Sequence, residues 1–374
     1  MEARYPLLAP HLAELLYEGR FAKLPRVGGE VCRLFTASRK SFDYSHHASL
    51  GVCAGQLYAF WSNGRDGEDL PGQVQCWCLR TQEGSWTAPQ ILAEAPVNPQ
   101  VYPETTTVIN GGTAIGAPFL TSFYSEYRGR VADGAGGEGK WSLPLVTGVH
   151  LRDPQHGYWR HLGVLLEDLL LNEGPRRTAN GRWLMTGEDH RGRTRVAYSD
   201  AEDPADPSWR VVGVPKGEGP CFKNEPSWFQ RPDGKLALFL RDDGGSRCLW
   251  LSESADEGET WSVPRPTNFP DATAKCHVGQ LNDGTYYCIS NPNPSGERIP
   301  LTIALSSDGM VFDRMAILRD EPTAPRLPGR FKAPGYQYPH SLQYLGKLYV
   351  IYSRNKEDVE VLSIDVQELV SLLR

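Results

Sequence analysis

Histidines, carboxylates and arginines recur in this 374-residue chain at one point of a repeated pattern. Six polar segments each lead into a Gly and then a short apolar run. They are His46-His47-Ala48-Ser49-Leu50, Tyr102-Pro103-Glu104-Thr105-Thr106, Asn172-Glu173-Gly174-Pro175-Arg176, Asn224-Glu225-Pro226-Ser227-Trp228, Cys276-His277-Val278-Gly279-Gln280 and Tyr338-Pro339-His340-Ser341-Leu342. Imidazoles transfer protons near neutral pH. Arginines such as Arg176 and Arg241 offer a two-pronged grip on a carboxylate. Such groups around one cavity are costly to bury without a polar ligand or water, so together they suit a small, charged, hydroxylated ligand. A structural reading stays open for Glu104, Glu173 and Glu225, which can instead accept backbone N–H bonds from a neighbouring sheet. His46 and His47 are adjacent, so strand alternation lets only one of them face a cavity.

Other chemistries lack their signatures. No H-E-x-x-H or H-x-x-E-H spacing is present, and the eight cysteines form no C-x-x-C pair; Cys76-x-Cys78 has no second pair to complete a zinc site. Mostly buried, reduced thiols are expected. No catalytic metal or other cofactor is expected, with a structural calcium as the one open option. Neither a complete G-x-x-x-x-G-K-[ST] phosphate loop nor a G-x-S-x-G elbow is present.

The elements that position these residues follow from the spacing. From His47 through Glu104, Glu173, Glu225 and His277 to His340 the steps are 57, 69, 52, 52 and 63 residues. A period of roughly 50–60 with several short strands per unit implies a β-propeller of four-stranded blades. The marked segment is then the innermost strand of each blade, its first residues at the mouth of the central channel. Apolar β runs such as Gln56–Trp61, Lys235–Leu240, Tyr286–Ser290 and Lys347–Tyr352 follow the glycines. Ser254-Ala255-Asp256-Glu257-Gly258-Glu259-Thr260-Trp261 reads as a tight hairpin turn, and Ser306–Phe312 as a shortened copy. Residues 199–209 and 83–86 read as decayed copies. Short helices are expected at His11–Leu16, Arg160–Leu171 and Val366–Leu373. The chain reads as one domain over 1–374, the N-terminal Val31–Phe35 run pairing with the C-terminal strands to close the ring.

Composition narrows the function. With 39 Lys+Arg against 45 Asp+Glu, the net charge of −6 argues against a nucleic-acid partner. No apolar run approaches membrane-spanning length, so no membrane partner is expected. Residues 1–25 lack a basic stretch followed by an apolar one, which makes a cytoplasmic location the simplest expectation. The 38 Gly and 29 Pro are spread along the chain and fit a turn-rich globular protein.

Several clusters carry a family resemblance: Tyr44–Ser49 with Phe60–Gly64 and Pro71–Gln73, Asn172–Arg176 with Gly187–Asp189, Leu240–Asp243, Thr267–Asp271, Ser290–Pro294 and Tyr338–His340. Together they resemble the propeller family of L-rhamnose-α-1,4-D-glucuronate lyases and related α-L-rhamnosidases. The Ser254–Trp261 turn resembles the Asp box of sialidase-type propellers. The resemblance implies seven blades, one more than the six inner strands counted above. It implies an exo-acting enzyme on rhamnose-capped acidic oligosaccharides of the arabinogalactan or gum arabic type, cleaving by β-elimination. Such a reaction needs a base, an acid and a neutralised carboxylate. His46 or His47 is then the proton-transfer residue and Arg176, or else Arg241, the carboxylate clamp. Glu104, Glu173, Glu225, His277 and His340 hold hydroxyls or orient the base. Two alternatives remain: a glycoside hydrolase on the same scaffold, rhamnosidase or sialidase-like, and a non-catalytic glycan-binding propeller. A sialidase requires a Tyr/Glu nucleophile pair, three carboxylate-binding arginines and an F-R-I-P motif, of which Arg298-Ile299-Pro300 is an imperfect echo far from the first strand.

Overall fold

The computed structural model describes residues 4–68, 70, 72–94, 106–116, 119–128, 145–152, 158–216 and 223–372. These residues form six four-stranded antiparallel sheets. Five are built in chain order, their inner strands being Tyr44–Cys53, Thr106–Gly116, Leu170–Arg177, Lys223–Gln230 and His277–Gln280. The sixth begins at Tyr336–Tyr344 and takes its outermost strand, Glu30–Phe35, from the N-terminal part of the chain. That strand pairs antiparallel with Asp358–Asp365, placing Val31 opposite Leu362. Each inner strand touches the next, and the first touches the sixth, so the ring is closed.

The seven blades implied by the family resemblance are therefore corrected to six among the described residues. Among the described residues, the long interval between Glu104 and Glu173 holds the second sheet, whose strands are long: Thr106–Gly116, Phe119–Arg128, Leu145–Arg152 and Trp159–Glu167. The helix expected at Arg160–Leu171 is also absent. Trp159–Glu167 is the outer strand of the second blade, and the next blade starts at Leu170. The leucines there mimic a helical period, but Asp168, at φ 55°, turns the chain between two strands. Helices do form at Pro10–Tyr17 and Val366–Leu372.

The core lies between blades. Leu184, Trp228, Leu238 and Trp261 join the third and fourth blades, and Ile303, Leu305, Tyr336 and Val350 join the fifth and sixth. The N-terminal helix packs Leu12 and Leu16 into the cluster of Phe229, Phe239 and Phe312. The Asp-box turn closes as its residue types require. Asp256 accepts from Thr260 N at 2.9 Å and Thr260 Oγ1 at 2.5 Å, Ser254 Oγ accepts from Gly258 N at 2.9 Å, and Trp261 Nε1 donates to Gly258 O at 3.1 Å. All seven described cysteines are free and five are buried.

Candidate functional site

A polar cavity of about 480 Å³ opens at the channel mouth. It is built from starts of inner strands and from the loops that follow second strands. Three inner strands reach it by the same device. His46 pairs with Ser62 and Ser49 with Phe60; Asn224 pairs with Arg241 and Ser227 with Phe239; Gln337 pairs with Ser353 and His340 with Ile351. Each strand thus carries one extra residue, a β-bulge. Inside the bulges His47, Glu225 and Tyr338 take φ of 53°, 48° and 53°. Left-handed backbone at a residue other than Gly costs about 1–3 kcal/mol and gathers at functional sites. All three residues line the cavity.

Glu225 and Tyr338 are joined directly, the phenol donating to Glu225 Oε1. Arg241 spans the pair, its Nη1 donating at 2.6 Å both to Glu225 Oε2 and to Tyr338 Oη. Asp243 holds Arg241 from behind through Nε at 2.8 Å. Burial opposes the charge on Arg241, but Glu225, Tyr338 and Asp243 outweigh it and keep the guanidinium protonated. Burial pushes the Tyr338 phenol well above its ordinary value, so it stays neutral until a base takes its proton. Arg298 lies over the Tyr338 ring at 5.4 Å and is tied down by Gln337 Oε1 at 2.5 Å and Thr273 O at 3.2 Å.

The opposite wall is a proton network. His47 Nε2 lies 3.3 Å and His46 Nε2 3.7 Å from Glu68 Oε1, while the Lys356 ammonium donates to Glu68 Oε2. Burial raises the Glu68 pKa, but Lys356 and His47 outweigh it and hold the carboxyl well below its ordinary range. His46 is buried, and burial with the nearby Lys356 charge keeps it neutral; its Nδ1 meets Ser353 Oγ at 2.7 Å. Ligand atoms of His46, His47 and Glu68 lie within 4.8 Å of one another, close enough to hold a metal ion. A metal would have to displace the Lys356 cation bonded at that corner, so the donor set fits a proton network better than a metal centre.

As expected, only one of the paired histidines faces the channel: His47 lines the cavity, while His46 is fully buried behind it against Ser353 of the sixth blade. The bulge at His47 nonetheless lets both rings approach Glu68. Arg176 does not line the cavity. It donates to Glu173 Oε2 at 2.8 Å and to Val278 O at 3.0 Å, and stacks on Trp228. Glu173, His277 and His340 lie with it in a separate buried cluster. His277 Nε2 is 3.8 Å from Glu173 Oε1, and the His277 and His340 rings are 4.3 Å apart. Burial keeps both imidazoles neutral, lowering His340 to about 3. Of the expected site residues, His47, Glu225 and Arg241 share the cavity wall, with His46 just behind it. Glu104 lies outside the described residues.

Tyr338, Arg298, Glu68 and Lys356 were missed as site residues. The Glu225-Pro226 and Tyr338-Pro339 dipeptides mark equivalent bulges, and aligning the repeats on proline would have selected Tyr338 over His340. Glu68 and Lys356 sit in loops with no repeat to flag them.

The family model of the BNR repeat-like domain matches residues 148–350, more than half of the chain. The chain belongs to the BNR repeat-like domain family. No curated protein matches it in sequence. Solved structures similar to this BNR chain include a sialidase at 20% identity and TM-score 0.65, covering 98% of this chain and 34% of its own. Trypanosoma rangeli sialidase in complex with sialic acid is similar at 13% identity and TM-score 0.66, with coverages of 93% and 61%. The intramolecular trans-sialidase from Ruminococcus gnavus in complex with oseltamivir carboxylate is similar at 14% identity and TM-score 0.66, with coverages of 90% and 97%. The BNR chain thus spans about a third of the first of these proteins. The likeness is one of fold: a sialidase-like β-propeller.

Proposed function

We propose that this protein is a glycan-processing enzyme that cleaves or transfers a sugar carrying a carboxylate at its anomeric carbon, the sialic acid class, through a covalent tyrosyl intermediate. The observation that carries the reading is the Glu225–Tyr338–Arg241 constellation in a polar cavity. A tyrosine nucleophile is the alternative to a carboxylate in sialidases. The physical reason is charge: a neutral phenol approaches an anionic sugar without the repulsion a carboxylate nucleophile meets. Tyr338 Oη attacks the anomeric carbon as Glu225 takes its proton. Arg241 and Arg298, two of the three arginines such a site calls for, hold the sugar carboxylate beside the reacting carbon.

A second reading, β-elimination of rhamnosyl-glucuronate, keeps one supporting observation. His47 and Arg241, the two residue types it needs, line the same cavity. One experiment separates the two. The protein is incubated with 3′-sialyllactose and, separately, with gum arabic, while free sugars and unsaturated uronate absorbance are followed. Sialic acid release that falls by about 10²–10⁴ in Tyr338→Phe and Glu225→Gln is expected. Rhamnose release with an unsaturated uronate and no action on the sialoside would refute the tyrosyl mechanism in favour of elimination. No product from either substrate refutes both.

A further inference from the structure

The tyrosyl mechanism leaves open which group handles the proton of the departing oxygen. Two groups on the wall facing Tyr338 qualify by position, Glu68 and His47. Glu68 is already committed, because its two oxygens meet the Lys356 ammonium and His47 Nε2. A carboxylate held between two cationic or donor groups is a poor acid. His47 lines the cavity with its side chain 17% exposed, while its Nε2 is buried against Glu68. Its ring centre is 5.5 Å from that of Tyr338, edge to face. The left-handed backbone at His47, φ 53° inside the bulge, breaks the strand alternation there, and the side chain lies on the cavity wall.

We propose that His47 is the acid and base at the glycosidic oxygen, with Glu68 and Lys356 as its positioning pair. The inference rests on the tyrosyl reading above. In the first half-reaction Tyr338 Oη bonds to the anomeric carbon and passes its proton to Glu225. The bond to the leaving oxygen breaks, and His47 gives that oxygen a proton from Nδ1, Nε2 remaining turned to Glu68. In the second half water, or an acceptor hydroxyl, gives its proton to His47 and bonds to the anomeric carbon. The tyrosyl bond breaks, and Tyr338 takes its proton back from Glu225. The groups facing His47 are His46 on its own strand, Glu68 and Lys356 from the loops of the first and sixth blades, and Tyr338 from the sixth inner strand. Arg298 and Arg241 lie beyond Tyr338.

The test uses two sialosides that differ in their need for an acid. An aryl sialoside expels a phenolate that departs unprotonated, whereas 3′-sialyllactose expels a sugar alkoxide. His47→Gln is expected to lower turnover of 3′-sialyllactose by about 10²–10⁴ and of the aryl sialoside by less than about tenfold. The pH limb assigned to the acid disappears with it. Glu68→Gln is expected to move the same way by a smaller factor. Retained aryl activity also reports that the variants are folded. Equal loss on both substrates in both variants, or loss on neither, overturns the His47 assignment and leaves the tyrosyl reading standing. Inactivity of the unaltered protein on both substrates overturns the two together.

Discussion

Replacing Asp271 by Asn tests the electrostatics behind the cavity. Asp271 is 1% exposed, directly after the outer strand of the fourth blade, and its charge is felt by Arg241 and Arg298. One carboxyl oxygen accepts from Ala274 N at 3.2 Å and the other has no hydrogen-bond partner. Burial raises its pKa from 3.8 to about 7, against the pull of that backbone bond and the two arginines. The folded protein therefore holds this proton more tightly than the unfolded chain. Its contribution to stability is complete below about pH 4 and is lost as pH rises to about 7. Three units at 1.36 kcal/mol each give an upper figure of about 4 kcal/mol. Asparagine keeps the acceptor for Ala274 N and never ionises. The stability of Asp271→Asn minus that of the unaltered protein should thus rise by up to about 4 kcal/mol between about pH 4 and pH 8. Groups common to both proteins cancel in this difference. For a chain of this length the shift corresponds to about 5 °C in Tm. The assay is thermal melting followed by circular dichroism across that range. A Tm difference that stays flat with pH would show that Asp271 is ionised in the fold at all these pH values, and would refute the reasoning.

Two further outcomes follow from the scaffold. Gly258→Ala puts a Cβ on a φ of +89° and 2.5 Å from Leu184 Cδ1 of the neighbouring blade. A destabilisation of about 2–4 kcal/mol is expected from strain and overpacking together, read as a lower denaturation midpoint. Leu362→Ala removes a buried side chain opposite Val31, where the N-terminal strand latches the ring. It should cost about 2–5 kcal/mol, and a loss under 1 kcal/mol in urea unfolding would mean that the latch is not packed as described.

Much of the fold was legible because its signals are local. A Gly after each polar segment, an apolar run after each Gly, and the Ser254–Trp261 turn all act within a few residues. The blade count went wrong only where it was taken from family resemblance. The leucines around Arg160–Leu171 failed as a helix because a short apolar run does not distinguish the two periods. The site was half legible. His47, Glu225 and Arg241 announced themselves by residue type and repeat position. Arg176 shared those credentials, but Glu173 and two backbone carbonyls hold it away from the cavity.

The sequence by itself determined an all-β repeat whose inner strands begin with titratable side chains. Only the tertiary structure decided which of them meet. A bulge shifts one residue, and a shift of one moves a side chain to the other face of a strand. That shift brings Tyr338 into the cavity, sends His340 to the buried cluster, and turns both His46 and His47 toward one carboxylate. Ring closure then joins Tyr338 to Glu225 across 113 residues and Lys356 to Glu68 across 288. No local pattern encodes such pairs, because they exist only once the sixth blade has come round to meet the first.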